Sequence, residues 1–226
     1  MVMPTLYIVG TPIGNLEDIS SRARQTLAGV DFILAEDTRV TKRLLERYQI
    51  QKPLISYHQH SQLQKVDDIV GLLKEGKNLA LVSDAGTPGI ADPGNELIEK
   101  AIEALGDRLN IVPIPGCSAL AAAASIAGFP MDKFLFLGFP PIKKKRKKFF
   151  EEALNSKYPV ILYESTHRIL KTLSEMAAMR PEARVVVCHE LTKKFEKTYR
   201  GRLDKVLEQL KGADLRGEFV VIVSTR

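Results

Sequence analysis

Short apolar runs alternate with helically spaced apolar residues along the whole chain, and that alternation predicts an α/β fold. In the first half the strand-like runs are Leu6 to Val9, Phe32 to Ala35, Leu79 to Val82 and Ile111 to Ile114. Between them Val66, Ile69, Val70 and Leu73 recur at i, i+3, i+4 and i+7, the spacing of one helix face. Leu97, Ala101, Ile102 and Leu105 do much the same, and another helical pattern passes through Leu44 and Leu45. These helices are expected to cover a sheet. The second half repeats the grammar with strands at Phe134 to Leu137, Val160 to Tyr163, Val185 to Cys188 and Phe219 to Val223. Helical segments are expected there near 147–155, 168–178 and 203–211. No internal sequence repeat is visible.

The segment Pro113-Ile114-Pro115-Gly116-Cys117 ends one strand, and Ser118 opens the small-residue stretch Ala119 to Ala124. A boundary is expected there, giving an α/β domain over residues 1–115 and a second over 116–226. Alanine-rich helices let backbones approach closely, and a cleft between two domains is a preferred position for a cofactor. Ser118 reads as a helix N-cap whose freed amides face a ligand, with capping alone as the plainer reading.

The strand at Leu79 to Val82 runs into Ser83-Asp84-Ala85-Gly86-Thr87-Pro88-Gly89-Ile90-Ala91-Asp92-Pro93-Gly94. Four consecutive apolar residues fit a central parallel strand, and ligands of open α/β sheets bind just beyond the carboxyl ends of such strands. Gly86 and Gly89 permit positive φ or close approach of a ligand, while Pro88 and Pro93 stiffen the loop. An ordinary strand-to-helix turn reads equally well from this loop alone.

Similar chemistry follows other strands. Gly10-Thr11-Pro12-Ile13-Gly14-Asn15 is a candidate ligand-cradling turn. It lacks the G-x-G-x-x-G spacing, and the chain contains neither a P-loop nor an H-E-x-x-H motif. Glu36, Asp37 and Arg39 follow the second strand as candidate catalytic groups, although Asp37 is equally a helix cap. Tyr57-His58-Gln59-His60 lacks a third and fourth ligand in a recognisable frame, so no metal site is expected. An aromatic residue beside histidines suits stacking on a base or ribose. Tyr163-Glu164-Ser165-Thr166-His167-Arg168 has the same character, against the plainer reading of a helix start with His167 exposed.

Net charge is +6, from 33 basic and 27 acidic residues. Lys143, Lys144, Lys145, Arg146, Lys147 and Lys148 account for all of the excess. A local patch implies a located polyanion, and nucleic acid is the expected partner. Lys193, Lys194, Phe195, Lys197, Tyr199, Arg200 and Arg202 interleave cations with aromatics; they form either a second part of that surface or an edge strand protected by lysines. Cys117 and Cys188 are expected to be core residues rather than a disulfide or zinc framework. No apolar run reaches the length of about 18 residues needed to span a bilayer, and the first residues do not read as a secretion signal, so a cytoplasmic location is expected.

Five segments together carry a family resemblance: Thr11-Pro12-Ile13-Gly14-Asn15-Leu16, Ala35-Glu36-Asp37-Thr38-Arg39, Val82 through Gly89, Pro115-Gly116-Cys117-Ser118-Ala119, and Glu190-Leu191-Thr192-Lys193. In this order, over nearly the full length, they resemble the tetrapyrrole methylase superfamily, and within it the branch acting on small-subunit ribosomal RNA. The resemblance implies a class III methyltransferase fold of two α/β domains with a cofactor cleft between them, and a homodimer. It implies S-adenosyl-L-methionine as cofactor and methylation of the ribose 2′-hydroxyl of a cytidine in 16S rRNA, free or in the 30S subunit. Donor-binding residues carried over are Thr11, Pro12, Asp84, Gly86, Thr87, Ser118, Ala119, Tyr163 and Thr192. The chain departs from the family pattern at Gln59, Ala91 and Thr166, which removes support for a general base at position 59. Two rival expectations are methylation of a small tetrapyrrole, which needs no run of six cations, and a non-catalytic rRNA-binding assembly protein that retains the cofactor cleft.

Overall fold

The computed structural model describes residues 3–58 and 63–224, which form two compact units, one up to Ser118 and one from Ala119. In the first unit, strands β1 (Thr5–Val9), β2 (Phe32–Ala35), β3 (Leu54–Ser56), β4 (Leu79–Val82) and β5 (Asn110–Ile114) alternate with helices α1 (Ser21–Gly29), α2 (Thr38–Arg47), α3 (Leu63–Lys74) and α4 (Asn95–Leu105). The strands pair in the order β3-β2-β4-β1-β5, every pair parallel.

Strand pleating divides the side chains between two layers. Leu6, Leu34, Leu79 and Leu81 pack with Val66, Ile69, Val70 and Leu73 of α3 and with Leu97, Ala101 and Leu105 of α4. Ile33, Ala35, Ala80 and Val82 pack with Ala23 and Leu27 of α1 and with Leu44 and Leu45 of α2. Burial on both faces explains why β4 is apolar without interruption. Ile102 does not belong to this packing: it is 50% exposed, because the buried stripe of α4 runs through Leu97, Ala101 and Leu105.

The second unit contains α5 (Ala119–Ser125), β6 (Leu135–Gly138), α6 (Arg146–Asn155), β7 (Val160–Ser165), α7 (Ile169–Met179), β8 (Arg184–His189), β9 (Lys197–Arg202), α8 (Leu203–Lys211) and β10 (Glu218–Ser224). Its sheet runs β6-β7-β10-β8-β9, with β6 and β7 parallel and the other pairs antiparallel. Val160, Leu162, Val185, Val187, Phe219, Val221 and Val223 meet Phe150 of α6, Leu173 and Met176 of α7, and Val206 and Leu210 of α8 in one core.

The elements anticipated from apolar patterning are all present, with ends shifted by one or two residues. Three others left little pattern. Strand β3 has only three residues, β9 carries exposed cations at an edge, and α1 buries only Ala23 and Leu27. Cys188 is fully buried, whereas Cys117 lies half-buried in the loop after β5 and its thiol donates to the Asp18 carbonyl at 3.5 Å. No helix among the described residues is long and apolar enough to cross a membrane.

Candidate functional site

Parallel pairing places the carboxyl ends of β1, β2, β4 and β5 along one edge of the first sheet, so four loops rich in functional groups become neighbours. The chain crosses over β4 in passing from β1 to β2, and over β1 in passing from β4 to β5. Such reversals of winding direction open the crevice where doubly wound sheets bind ligands.

Short bonds tie these loops together. Thr11 and Gly86 form an isolated antiparallel bridge, with N–H···O distances of 2.9 and 3.2 Å. The Thr11 hydroxyl is buried and lies 3.2 Å from the carbonyls of both Ser83 and Gly86, so this side chain fastens the β1 turn to the β4 loop. Thr87 Oγ1 donates to the Cys117 carbonyl at 3.1 Å, and Asn95 Nδ2 to the Gly89 carbonyl at 2.9 Å. Gly86 and Gly89 take φ values of 84° and 80°, where a Cβ is strained. Gly10 and Gly116 touch backbone to backbone: a Cβ built on Gly116 lies 2.6 Å from the Gly10 carbonyl oxygen. Only glycine at both positions lets the turns after β1 and β5 come this close.

The acidic candidates separate by environment. Asp37 is the N-cap of α2 and accepts from the Arg39 amide at 2.8 Å. Arg39 also folds back on it, with Nε and a terminal nitrogen at 3.1 and 2.7 Å from its carboxylate oxygens. These bonds hold the Asp37 carboxyl down at about 2, too weakly basic for efficient proton abstraction at neutral pH. Asp37 is thus engaged as the cap of α2 and as the partner of Arg39. Glu36 is half-buried beside it; burial raises its pKa, and the charges of Asp92 and Asp84 raise it further. Asp84 accepts from the Asp37 amide at 2.9 Å, which locks the β2 and β4 loops together.

Tyr57 does not serve as a stacking residue: it is 3% exposed and packs in the core beside α3. Gln59 and His60 lie outside the described residues, and no group of metal-ligating side chains occurs among those described. A surface depression of about 560 Å³, lined by Lys42, Leu45, Ile50 and Lys52, opens at the amino end of β3, away from these loops.

In the second unit, Tyr163 ends the apolar part of β7, and its hydroxyl accepts from the Leu120 amide at 3.1 Å. Phe136 and Phe139 meet it edge-on, with centroids at 4.9 and 5.6 Å. Glu164 and Ser165 complete β7, and residues 166–168 turn into α7: His167 is exposed, and Thr166 bonds both the carbonyl and the amide of Gly217. Thr192, in the turn after β8, has φ 66°, and its buried hydroxyl has no hydrogen-bond partner among the described residues. A threonine in the left-handed region with an orphaned hydroxyl is the kind of strain that collects at functional sites.

The run of six cations is not uniform. Arg146 is 7% exposed and points inward, 2.5 Å from Glu175, 2.6 Å from Thr172 Oγ1 and 2.9 Å from the Pro141 carbonyl, with its guanidinium over the Phe150 ring. It is therefore withdrawn from the expected RNA-contacting set, which leaves Lys143, Lys144, Lys145, Lys147 and Lys148 exposed. The basic residues near 193–202 do not continue this patch. Strand β9 lies at the opposite edge of the sheet from β6; Lys193 pairs with Glu190 and Glu218 at 2.7 and 2.8 Å, and Arg202 pairs with Asp204 at 2.9 Å.

A parallel first sheet with loops bonded to one another at its carboxyl edge, followed by a mixed second sheet, is the architecture of class III methyltransferases. The family model of the tetrapyrrole (corrin/porphyrin) methylases matches residues 5–207, and the chain belongs to that family. Curated relatives named ribosomal RNA small subunit methyltransferase I include one from Halalkalibacterium halodurans, 44% identical over 97% of this chain and 75% of its own. That from Bacillus subtilis is 44% identical over 98% and 75%, and that from Thermotoga maritima 40% over 98% and 99%. Among solved structures, diphthine synthase superposes with a TM-score of 0.72 at 15% identity, covering 97% of this chain and 90% of its own. Uroporphyrin-III C-methyltransferase from Thermus thermophilus gives 0.67 at 18%, covering 98% and 94%.

Proposed function

We propose that this chain transfers a methyl group from S-adenosyl-L-methionine to the ribose 2′-hydroxyl of a cytidine in small-subunit rRNA. The observation that carries the reading is its identity, at two fifths or more of positions and over almost its whole length, with relatives named for small-subunit rRNA methylation. The tied loops at the carboxyl edge of the first sheet and the exposed lysines support it independently.

The residues present fit the donor. Gly86 and Thr87 lie in the loop tied to Thr11 and Cys117, Pro12 stiffens the turn that Thr11 fastens, and Asp84 is exposed at the loop mouth. Ser118 and Ala119 follow the Gly116 contact, while Tyr163 and the orphaned Thr192 hydroxyl carry the same assignment in the second unit. When bound, the donor supplies an electrophilic methyl group on a sulfonium.

The protein's work is then positioning and proton removal. Holding the ribose oxygen in line with the methyl carbon lowers a barrier by roughly 7–11 kcal/mol in well-aligned systems. Glu36 is assigned as the base that takes the 2′-hydroxyl proton, because its raised pKa brings it closer to working pH than a free carboxylate. Asp37 holds Arg39, whose exposed guanidinium is assigned to a substrate phosphate. The lysines at 143–145, 147 and 148 supply the general attraction to RNA.

The test is transfer of tritium from labelled donor to free 16S rRNA and to 30S subunits, followed by nucleoside analysis. A 2′-O-methylcytidine product is expected. Label on another nucleoside or on a small porphyrinoid, or donor binding without transfer to either RNA substrate, overturns the reading.

A further inference from the structure

The loop between β6 and α6 is pinned in place with Ile142 exposed and Phe139 half-exposed, the Phe139 ring meeting Tyr163 edge-on and leaving the rest of its surface to solvent. Gly138 and Lys145 take φ values of 64° and 65°, so the chain turns sharply on both sides of residues 139–144. Between those turns, Arg146 donates to the Pro141 carbonyl at 2.9 Å and Arg168 donates to the Pro140 carbonyl. Glu175 neutralises the first guanidinium at 2.5 Å and Glu164 the second at 3.4 Å. The Glu164 side chain is wholly buried, and its other oxygen accepts from Thr172 at 2.5 Å. The carbonyls of Pro140 and Pro141 are thus held by the half-buried Arg168 and the buried Arg146, and the loop's apolar groups are left at the surface. Phe139 is accordingly 53% exposed and Ile142 71%.

An aromatic ring displayed beside a row of lysines is a combination with a specific use. Lysines alone suffice for the phosphates of a duplex, whose bases are already stacked on one another. Single strands are gripped by cations on the backbone together with aromatic faces on the bases. A second copy of this chain is a poorer occupant, because a self-complementary contact centred here brings lysines against lysines.

We propose that Phe139 stacks on an unpaired base of the RNA substrate while the adjoining lysines hold its phosphates, so that this loop selects a single-stranded stretch. The inference rests on the RNA-methylating reading above and adds to it the conformation of the RNA that is recognised.

The experiment uses the full chain, a single-stranded RNA oligomer and a duplex of the same sequence. Phe139→Ala is expected to weaken single-strand binding about 5- to 150-fold, with the slope of affinity against salt unchanged, since no phosphate contact is lost. Phe139→Tyr restores binding. The protein contains no tryptophan, so Phe139→Trp provides a unique fluorophore whose emission is expected to be quenched by the single strand and not by the duplex. Equal affinity of wild type and Phe139→Ala, or an emission indifferent to RNA, overturns the inference, as does an effect confined to the oligomeric state in sedimentation. Failure of the wild-type protein to methylate rRNA instead counts against the proposed function; normal methylation by Phe139→Ala with an unchanged KM for RNA sinks the stacking role alone.

Discussion

Arg146→Met separates structural from RNA-binding roles within the basic run. The substitution keeps an unbranched chain beside Phe150 but removes the bonds to Glu175, Thr172 and the Pro141 carbonyl. Removing one partner of a buried ion pair typically costs about 3–5 kcal/mol, because the remaining charge is left without compensation. Two features place this site at the lower end. Glu175 is one-third exposed and regains water, and Glu164 keeps both Arg168 and Thr172. A loss of about 3 kcal/mol moves a urea midpoint by roughly 1–3 M for m-values of about 1–3 kcal/mol/M. The assay is urea unfolding followed by circular dichroism, paired with RNA binding across a salt series. Arg146 points inward, away from any phosphate, so the salt slope is expected to stay as in wild type. An unchanged midpoint together with a slope smaller by about 0.7 refutes the assignment and makes Arg146 an RNA contact.

Serine at Lys143, Lys144, Lys145, Lys147 and Lys148 leaves the fold intact and flattens the same slope by up to about 3.5, five times about 0.7; a slope that stays put removes the patch from substrate binding. Glu36→Gln lowers single-turnover methylation by about 10² to 10⁴ and removes the acid limb of the pH–rate profile. In wild type that limb rises with pH and lies above the ordinary carboxylate range, because burial and the neighbouring Asp92 and Asp84 disfavour the ionised form. The same raised pKa contributes stability at low pH that is lost as pH rises through the folded value, so Glu36→Gln melts no lower than wild type at neutral pH. Gly116→Ala puts a methyl group 2.6 Å from the Gly10 carbonyl oxygen, and the expected loss is about 1–3 kcal/mol with weaker donor binding by calorimetry; a variant with native melting and native affinity shows that the loops yield without consequence.

The chain's own order of residues determined the elements and the loops that bear chemistry. A strand buried on both faces must be apolar throughout, which made β4 legible, and the stripe Val66, Ile69, Val70 and Leu73 made α3 legible. The glycine and proline bends after β1, β4 and β5 were visible because few other residues adopt those backbone shapes, and their order along the chain carried the family resemblance. Tertiary structure decided which similar side chains do different work. Arg146 is indistinguishable from its lysine neighbours until Thr172 and Glu175, 26 and 29 residues away, close around it. Glu36 and Asp37 are adjacent carboxylates, and they part because Arg39 folds back on one while Asp84 and Asp92 face the other. Local periodicity records which side of an element is buried. Charge pairing depends on which distant element arrives beside it, and strand order sets that.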